Sequence, residues 1–200
     1  LKKEGIYMPR IGVRDLFAAE LDELTDIING ETPPDYDKPF RISKAINITL
    51  TPQLAEANLF ADDSQSDYQS NQTAVDLGLN IRDITPEIEA KLFGKKTDSR
   101  GGVSTTSRDR PPLFAVMFRS ERSDGLFEYR VLYKVRFRVF DETHATKGES
   151  ITYQTPTING RSMRRDYDER FDYKLVGTEE NEEVVAKWFD EVIEPAANVD

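Results

Sequence analysis

The stretch Phe127-Glu128-Tyr129-Arg130-Val131-Leu132-Tyr133-Lys134-Val135-Arg136-Phe137-Arg138-Val139 puts an aromatic or branched residue at every odd position and mostly charged residues at the even ones. A period of two marks a strand with one buried face, so the pattern predicts a β-strand over Leu126–Phe140. At about 3.3 Å per residue it would reach roughly 46 Å, against a usual strand length of about 17–20 Å. Such length predicts a sheet extended or closed between subunits, because a long bare edge invites uncontrolled pairing unless a partner covers it. Just upstream, Leu113–Phe118 is apolar on both faces, as a central strand would be, and Ser123-Asp124-Gly125 supplies the tight turn between the two.

Towards the N-terminus, Ile11, Val13, Phe17, Ala19 and Leu21 alternate with more polar neighbours and predict a first strand, with Asp15 interrupting its apolar face. The paired prolines of Glu31–Asp37 predict a loop. Phe40, Ile42, Ile46, Ile48 and Leu50 form a half-buried strand broken at Lys44, and Val75, Leu77, Leu79 and Ile81 form another. Between them, residues 52–73 are too polar and acidic to make core, so they predict a long connection and, with the flanking strands paired as a hairpin, a projecting arm. Thr85-Pro86-Glu87 followed by Gly94 predicts a short capped helix. Residues 95–110, rich in Gly, Ser, Thr and Arg, predict an exposed mobile loop.

Towards the C-terminus, a turn at Thr146–Ser150 leads to an expected strand at Ile151–Thr155, an extended piece through Arg165 and a short strand presenting Phe171, Tyr173 and Leu175. Val184, Val185, Trp188, Phe189, Val192 and Ile193 recur at helical spacing and predict an amphipathic helix over about 179–194 lying on a sheet face. The fold class read from these elements is mainly β with two short helices, in a single domain over 1–200.

Eleven Phe and eight Tyr within a 38% apolar composition suffice for such a core. The absence of cysteine removes disulfides, thiolate metal sites and a cysteine nucleophile, and fits assembly in a reducing cytoplasm. No stretch approaches the roughly 18 apolar residues of a membrane span, and Leu1-Lys2-Lys3-Glu4 lacks the apolar core of a signal peptide. Of the net charge of −10, residues 179–200 contribute −7 (eight acids against Lys187), leaving −3 elsewhere. With no basic excess, tight binding to duplex DNA is disfavoured, while passive contact is not.

Catalytic chemistry finds little to work with. His144 is the sole histidine, its neighbours offer no nucleophile-elbow glycines, and it reads as a surface loop residue. Asp62, Asp63 and Asp67 lack the glycine and terminal Glu of a calcium loop and read as solvated acids. Arg161, Arg164, Arg165 and Arg170 are nearly balanced by Asp166, Asp168 and Glu169, which predicts an ion-paired surface within or between subunits. No catalytic residue, metal ligand or cofactor is assigned. The competing readings are a β-sandwich binding module, such as an adhesin or carbohydrate binder, and a hydrolase built on His144.

The string Phe118–Phe137 resembles the central hairpin of the major tail protein family of long-tailed, non-contractile phages. Thr146-Lys147-Gly148-Glu149-Ser150 leading to Gln154-Thr155-Pro156-Thr157-Ile158-Asn159-Gly160, Asn58-Leu59-Phe60-Ala61-Asp62-Asp63, and Val185–Pro195 are similar to further segments of that family in the same order. The inserts at Glu31–Lys38 and Gly101–Arg110 are less familiar. The resemblance implies a β-sandwich or barrel of the tail-tube type, with sheets joined between subunits in a ring of six. It implies stacked rings around a tape-measure protein, with tail-tip and tail-terminator partners, in a virion assembled in the host cytoplasm. It implies a lumen through which genomic DNA passes without sequence-specific binding. On that basis Ser43, Asn47, Thr49, Asp76 and Asn80 are the candidate lumen-facing residues. Asp62, Asp63, Asp67, Arg161, Arg164 and Arg165 are the candidates for ring stacking.

Overall fold

The computed structural model describes residues 8–28, 30–61, 64–140, 146 and 153–196. Its elements run β1 (Arg10–Glu20), β2 (Phe40–Ser43), β3 (Ala45–Ala61), β4 (Ser64–Ile81), α1 (Pro86–Phe93), β5 (Lys96–Thr97), β6 (Val103–Ser104), β7 (Leu113–Arg122), β8 (Phe127–Arg138), β9 (Thr157–Ser162) and β10 (Asp172–Val176). A 3-10 turn (Glu179–Asn181) and α2 (Glu182–Ala186) follow. The protein is thus mainly β with two short helices. One antiparallel sheet runs β2-β1-β7-β8-β9-β4-β3, with β10 also on β8. Its two halves face each other across a core of Leu16, Ile42, Leu77, Leu79, Phe114 and Phe137, which Leu92 and Phe93 of α1 also enter. A second core, with Met117, Tyr129, Val131, Tyr133 and Trp188, lies on the opposite face of β1, β7 and β8.

β8 departs from the single alternating face expected of it. Phe114 pairs with Val135 but Val116 with Leu132, so β8 carries one more residue than β7 across the same interval, a β-bulge. Before the bulge Phe127, Tyr129, Val131 and Tyr133 serve the second core; after it Val135 and Phe137 serve the first, which Leu132 also enters. The neighbour changes at the same place: β10 pairs with Glu128–Leu132, and β9 with Val135–Arg138. Both edges of β8 are therefore filled within the chain, and its length does not call for a strand from another subunit. Among the described residues, the strands of this sheet with a single partner, and so with an edge left over, are β2, β3 and β10.

Asp15 marks a second bulge. Its φ of 58° is left-handed, and the β1–β7 register shifts between Arg14 and Phe17. The shift brings Leu16 and Ala18 onto the first core beside Val13, while Phe17 and Ala19 turn to the second, so the interruption read in the sequence is a change of face. Arg119 Nε donates to the Asp15 carboxylate at 2.7 Å and Arg41 at 3.3 Å, which holds the turn in place.

The run Phe40–Leu50 is two strands: β2 pairs with β1, and β3, after the break at Lys44, pairs with β4. Residues 52–61 and 64–73 are a continuation of β3 and β4, whose register runs from Ala45↔Ile81 to Ala61↔Ser64. A polar antiparallel ribbon can form without an apolar face because the ladder bonds need only the backbone. Only Val75–Asn80 of β4 gain β9 as a further neighbour. α1 forms as expected, with Thr85 Oγ1 accepting from Ile88 N, Pro86 in the first turn and Gly94 in the left-handed conformation. Residues 95–110 are exposed but hydrogen-bonded among themselves: β5 and β6 pair, and the Asp98 carboxylate accepts from the Arg100 and Gly102 amides at 2.8 Å each. The excursion leaves and returns at one point, where a Cβ on Gly94 would meet the Arg110 carbonyl oxygen at 2.2 Å. Tyr153, Gln154 and Thr155 are not in a strand, and Ile151, Thr152, most of the 146–150 turn and His144 lie outside the described residues.

The C-terminal helix is shorter than expected. α2 ends at Ala186, and the chain continues in turns with i to i+3 bonds such as Trp188 N to Val185 O (3.3 Å) and Asp190 N to Lys187 O (2.9 Å). β-Branched Val184 and Val185 and the bulky Trp188 and Phe189 are indifferent helix formers, and tertiary anchors take over. Trp188 is fully buried against Tyr129 and Tyr173 (centroids 5.4 and 5.9 Å), and Tyr133 Oη donates to the Ile193 carbonyl at 2.9 Å. Val185, Phe189, Val192 and Ile193 still pack on the sheet, whereas Val184 faces out.

Arg165 fixes the end of this segment. Fully buried, it donates to both Asp168 oxygens (2.6 Å each) and, through Nη1, to Glu194 (2.7 Å), with its guanidinium 3.9 Å from the Tyr133 ring centroid. A second buried ion group centres on Asp26, which accepts from Lys134 Nζ (2.6 Å) and from the Asp166 and Tyr167 amides (2.8 and 2.9 Å). Burial pushes the Asp26 and Asp168 carboxyls up, but these donors outweigh it and hold both below the usual carboxylate range.

Trp188→Ala should lower unfolding free energy by about 3–5 kcal/mol in denaturant titration, as for other fully buried Trp truncations. The depressed carboxyls contribute stability that is complete above the ordinary carboxylate pKa of about 4 and is lost as pH falls through the folded values. Denaturation midpoints should therefore drop on acidification through and below that range, and Asp26→Asn should be less stable at neutral pH with a shallower acid dependence.

Candidate assembly surface

The first core takes the odd residues Val75, Leu77, Leu79 and Ile81 of β4, so its even residues point to the other face. The register sets three cross-strand rows on that face: Asn47–Asn80–Thr157, Thr49–Gly78–Asn159 and Thr51–Asp76–Arg161. Asn47, Thr49, Asp76 and Asn80 are therefore brought together on one polar surface of β3, β4 and β9. Ser43 is not. It lies in β2, is 9% exposed, and donates to Asp83 at 3.0 Å, because the break at Lys44 separates it from the strand that carries the others.

Amides and hydroxyls dominate the surface. Asn80 Nδ2 donates to Thr157 Oγ1 at 3.0 Å and to Thr155 Oγ1 at 3.3 Å, and Asn47 Nδ2 donates to Thr49 Oγ1 at 3.4 Å. Asp76 is its charged centre: it accepts from Arg161 Nε (2.8 Å), Gln53 Nε2 (2.9 Å) and Arg138 Nη2 (3.4 Å). The Arg161 guanidinium beside Asp76 holds its carboxyl below the ordinary range. One carboxylate against two guanidinium groups leaves this cluster a formal charge of +1. Gln53, Thr51, Arg138, Thr157 and Asn159 join the surface although the sequence reading did not select them. The alternation Thr157, Asn159, Arg161 against Ile158, Gly160, Ser162 was the signal that pointed to the β9 members.

The arginines assigned to ring stacking separate. Arg165 is interior and saturated by Asp168 and Glu194, so it is not a surface group; of the acids nearby in sequence, Asp168 is its partner, while Asp166 pairs with Lys134 and Glu169 with Arg164. Arg161 belongs to the polar face, 2.8 Å from Asp76. Arg164 is exposed and pairs with Glu169 at 2.5 Å. Asp62 and Asp63 lie outside the described residues, and Asp67 is placed only by its backbone, opposite Leu59 in the ribbon. Among the described residues, no group of three or more potential metal ligands converges, and no helix is long and apolar enough to cross a membrane.

Among solved structures, the chain is similar to one described as the cryo-EM structure of the anti-feeding prophage (AFP) baseplate, 6-fold symmetrised. Identity is 11% over 85% of this chain and 97% of that one, with a TM-score of 0.39. No curated protein matches the chain. The family model for phage tail tube proteins matches residues 42–193, from Ile42 of β2 through the C-terminal segment on the second core. The polar face of β3, β4 and β9 and most of both cores fall within that span, while β1 and Glu194 lie outside it, and the chain belongs to the phage tail tube protein family, a structural and not an enzymatic one.

Proposed function

We propose that copies of this chain form hexameric rings that stack into the hollow tail tube of a long-tailed, non-contractile phage. The tube encloses a tape-measure protein, meets tail-tip and terminator proteins at its ends, is assembled in the host cytoplasm and conducts DNA at ejection. The observation that carries this reading beyond family membership is the wide polar face of β3, β4 and β9, rich in amides and hydroxyls and backed by a continuous core. Asn47, Thr49, Asp76 and Asn80 are its lumen-facing residues in this proposal, and the free edge of β3 is where sheets of neighbouring subunits join.

A lumen of this composition suits a sliding polyanion. Phosphate affinity grows with each lysine or arginine brought against the backbone, so a strongly basic lining would retain DNA. Here Asp76 offsets part of the charge of Arg138 and Arg161, and the remaining side chains are neutral. The ribbon of residues 52–73 is the proposed arm that engages the next ring, with Asp62, Asp63 and Asp67 facing arginines there; exposed Arg164 is such an arginine.

Negative-stain electron microscopy of the concentrated protein, with a light-scattering mass, tests the tube. Hollow rods or stacked rings with a central channel are expected. A species that stays monomeric even with tail-tip and tape-measure partners present overturns the reading. Deleting Asp62–Asp67 should leave single rings but abolish rods, and rods of normal length from that variant would remove the arm from the stacking contact.

A further inference from the structure

Gly78 stands at the centre of the polar face, in the middle of the row Thr49–Gly78–Asn159. Glycine weakens a strand interior, and there it marks a bulge, a sharp bend or a place that another group approaches closely. Neither ladder shifts register beside Gly78 and its φ is not left-handed, so it serves no bulge. A Cβ there would meet nothing nearer than Thr49 Cβ at 3.7 Å and Asn159 Oδ1 at 3.8 Å, so the missing side chain leaves open space and relieves no clash. That space is a shallow concavity of about 400 Å³ over Gly78, walled by Thr49, Thr51, Asp76, Arg138, Thr157 and Asn159.

The wall supplies donors of the kind an anion needs. The Arg138 side chain is 59% exposed and gives Asp76 a single hydrogen bond, from Nη2 at 3.4 Å. Thr51 and Asn159 are exposed, and among the described residues their side chains have no hydrogen-bond partner. The carboxylate beside them is already engaged: Arg161 grips Asp76 through Nε (2.8 Å) and Nη2 (3.2 Å), and Gln53 adds a third donor at 2.9 Å. An incoming anion therefore displaces only the long Arg138 contact, while Asp76 keeps its other partners. Two guanidinium groups against one carboxylate make the patch cationic on a chain of net charge −10, so the complementary occupant is an anion. A guanidinium flanked by hydroxyl and amide donors suits a phosphate, whose oxygens accept several bonds at once.

We infer that the concavity over Gly78 seats one phosphate of a nucleic-acid backbone, bound by Arg138 with Thr51 and Asn159 and kept weak by Asp76. The inference rests on the tube reading and deepens it by naming the side chains that meet DNA in passage. Asp76 competes for Arg138 and repels the phosphate, so each contact is brief. A polyanion then passes from seat to seat instead of being held through many lasting contacts.

Fluorescence anisotropy of a short labelled DNA duplex, titrated with the protein over a range of salt concentrations, tests the seat. Asp76→Asn should tighten binding about fivefold and steepen its salt dependence by about one released counterion. Adding Arg138→Gln or Gly78→Val to Asp76→Asn should return both quantities to those of the unsubstituted chain. The valine fills the concavity without changing charge, and denaturation midpoints check that each variant is folded. Binding that Asp76→Asn leaves unchanged, or a gain that survives either second substitution, overturns the inference. Inorganic phosphate, at matched ionic strength and at the concentration of the duplex's own phosphates, should leave the duplex bound; displacement assigns the site to a free anion and overturns the inference. Rods seen by electron microscopy with no gain from Asp76→Asn remove the seat alone, whereas the full pattern of gain and loss in a chain that forms no rods removes the tube and keeps the phosphate site.

Discussion

The extra residue that β8 carries between Leu132 and Val135 governs the architecture. A strand with strict alternation can present one apolar face to one core, and a 12-residue strand would outrun a core of ordinary thickness. The bulge lets its first half lie over Trp188 and its second half over Phe114 and Phe137, and exchanges β10 for β9 as its neighbour. The bulge at Asp15 makes the matching change in β1, two strands away in the sheet. Together they let one sheet fold over on itself, which gives β4 a core to bury its odd residues in and so turns its even residues outward.

The face so created explains which parts of the site were legible. Asn47, Thr49, Asp76 and Asn80 follow from period-two alternation alone, because the strands that carry them are regular where β4 meets β9. Ser43 shares the parity of Asn47 and Thr49 but not their strand, since parity survives neither the break at Lys44 nor a change of pairing partner. The same limit applies to β8, whose odd positions look uniform in sequence and are divided in space. Bulges leave almost no trace in a hydropathy pattern, as the inserted residue need only be tolerable on either face. Caps are different: Thr85, Pro86 and Gly94 mark α1 because each meets a backbone requirement at a fixed offset. The C-terminal stripe identified which side chains pack but not the backbone that delivers them, because anchors from Tyr133 and Arg165 prevail over weak helix propensity.

Charge played two roles that sequence proximity could not tell apart. Arg161, Arg164 and Arg165 lie within five residues and end in three environments: a polar sheet face, open solvent and the protein interior. The interior one is tied to Glu194, 29 positions away, and serves in place of a covalent staple in a chain without cysteine. Buried ion pairs add little net stability over apolar packing, but losing one partner is costly. Such a pair therefore fixes where the C-terminal segment lies more than how strongly it is held.

The excursion between Gly94 and Arg110 is built so that it can accept added sequence. Its ends pinch together, its hydrogen bonds close on themselves through Asp98 and the β5–β6 pair, and a methyl group added at Gly101, on its tip, would meet no atom within 4 Å. Lengthening such a closed loop costs little entropy, since each doubling adds only about 0.6 kcal/mol. A foreign peptide grafted between Arg100 and Gly102 would perturb neither core, and in the proposed tube it would recur once per copy, displaying an epitope at regular intervals.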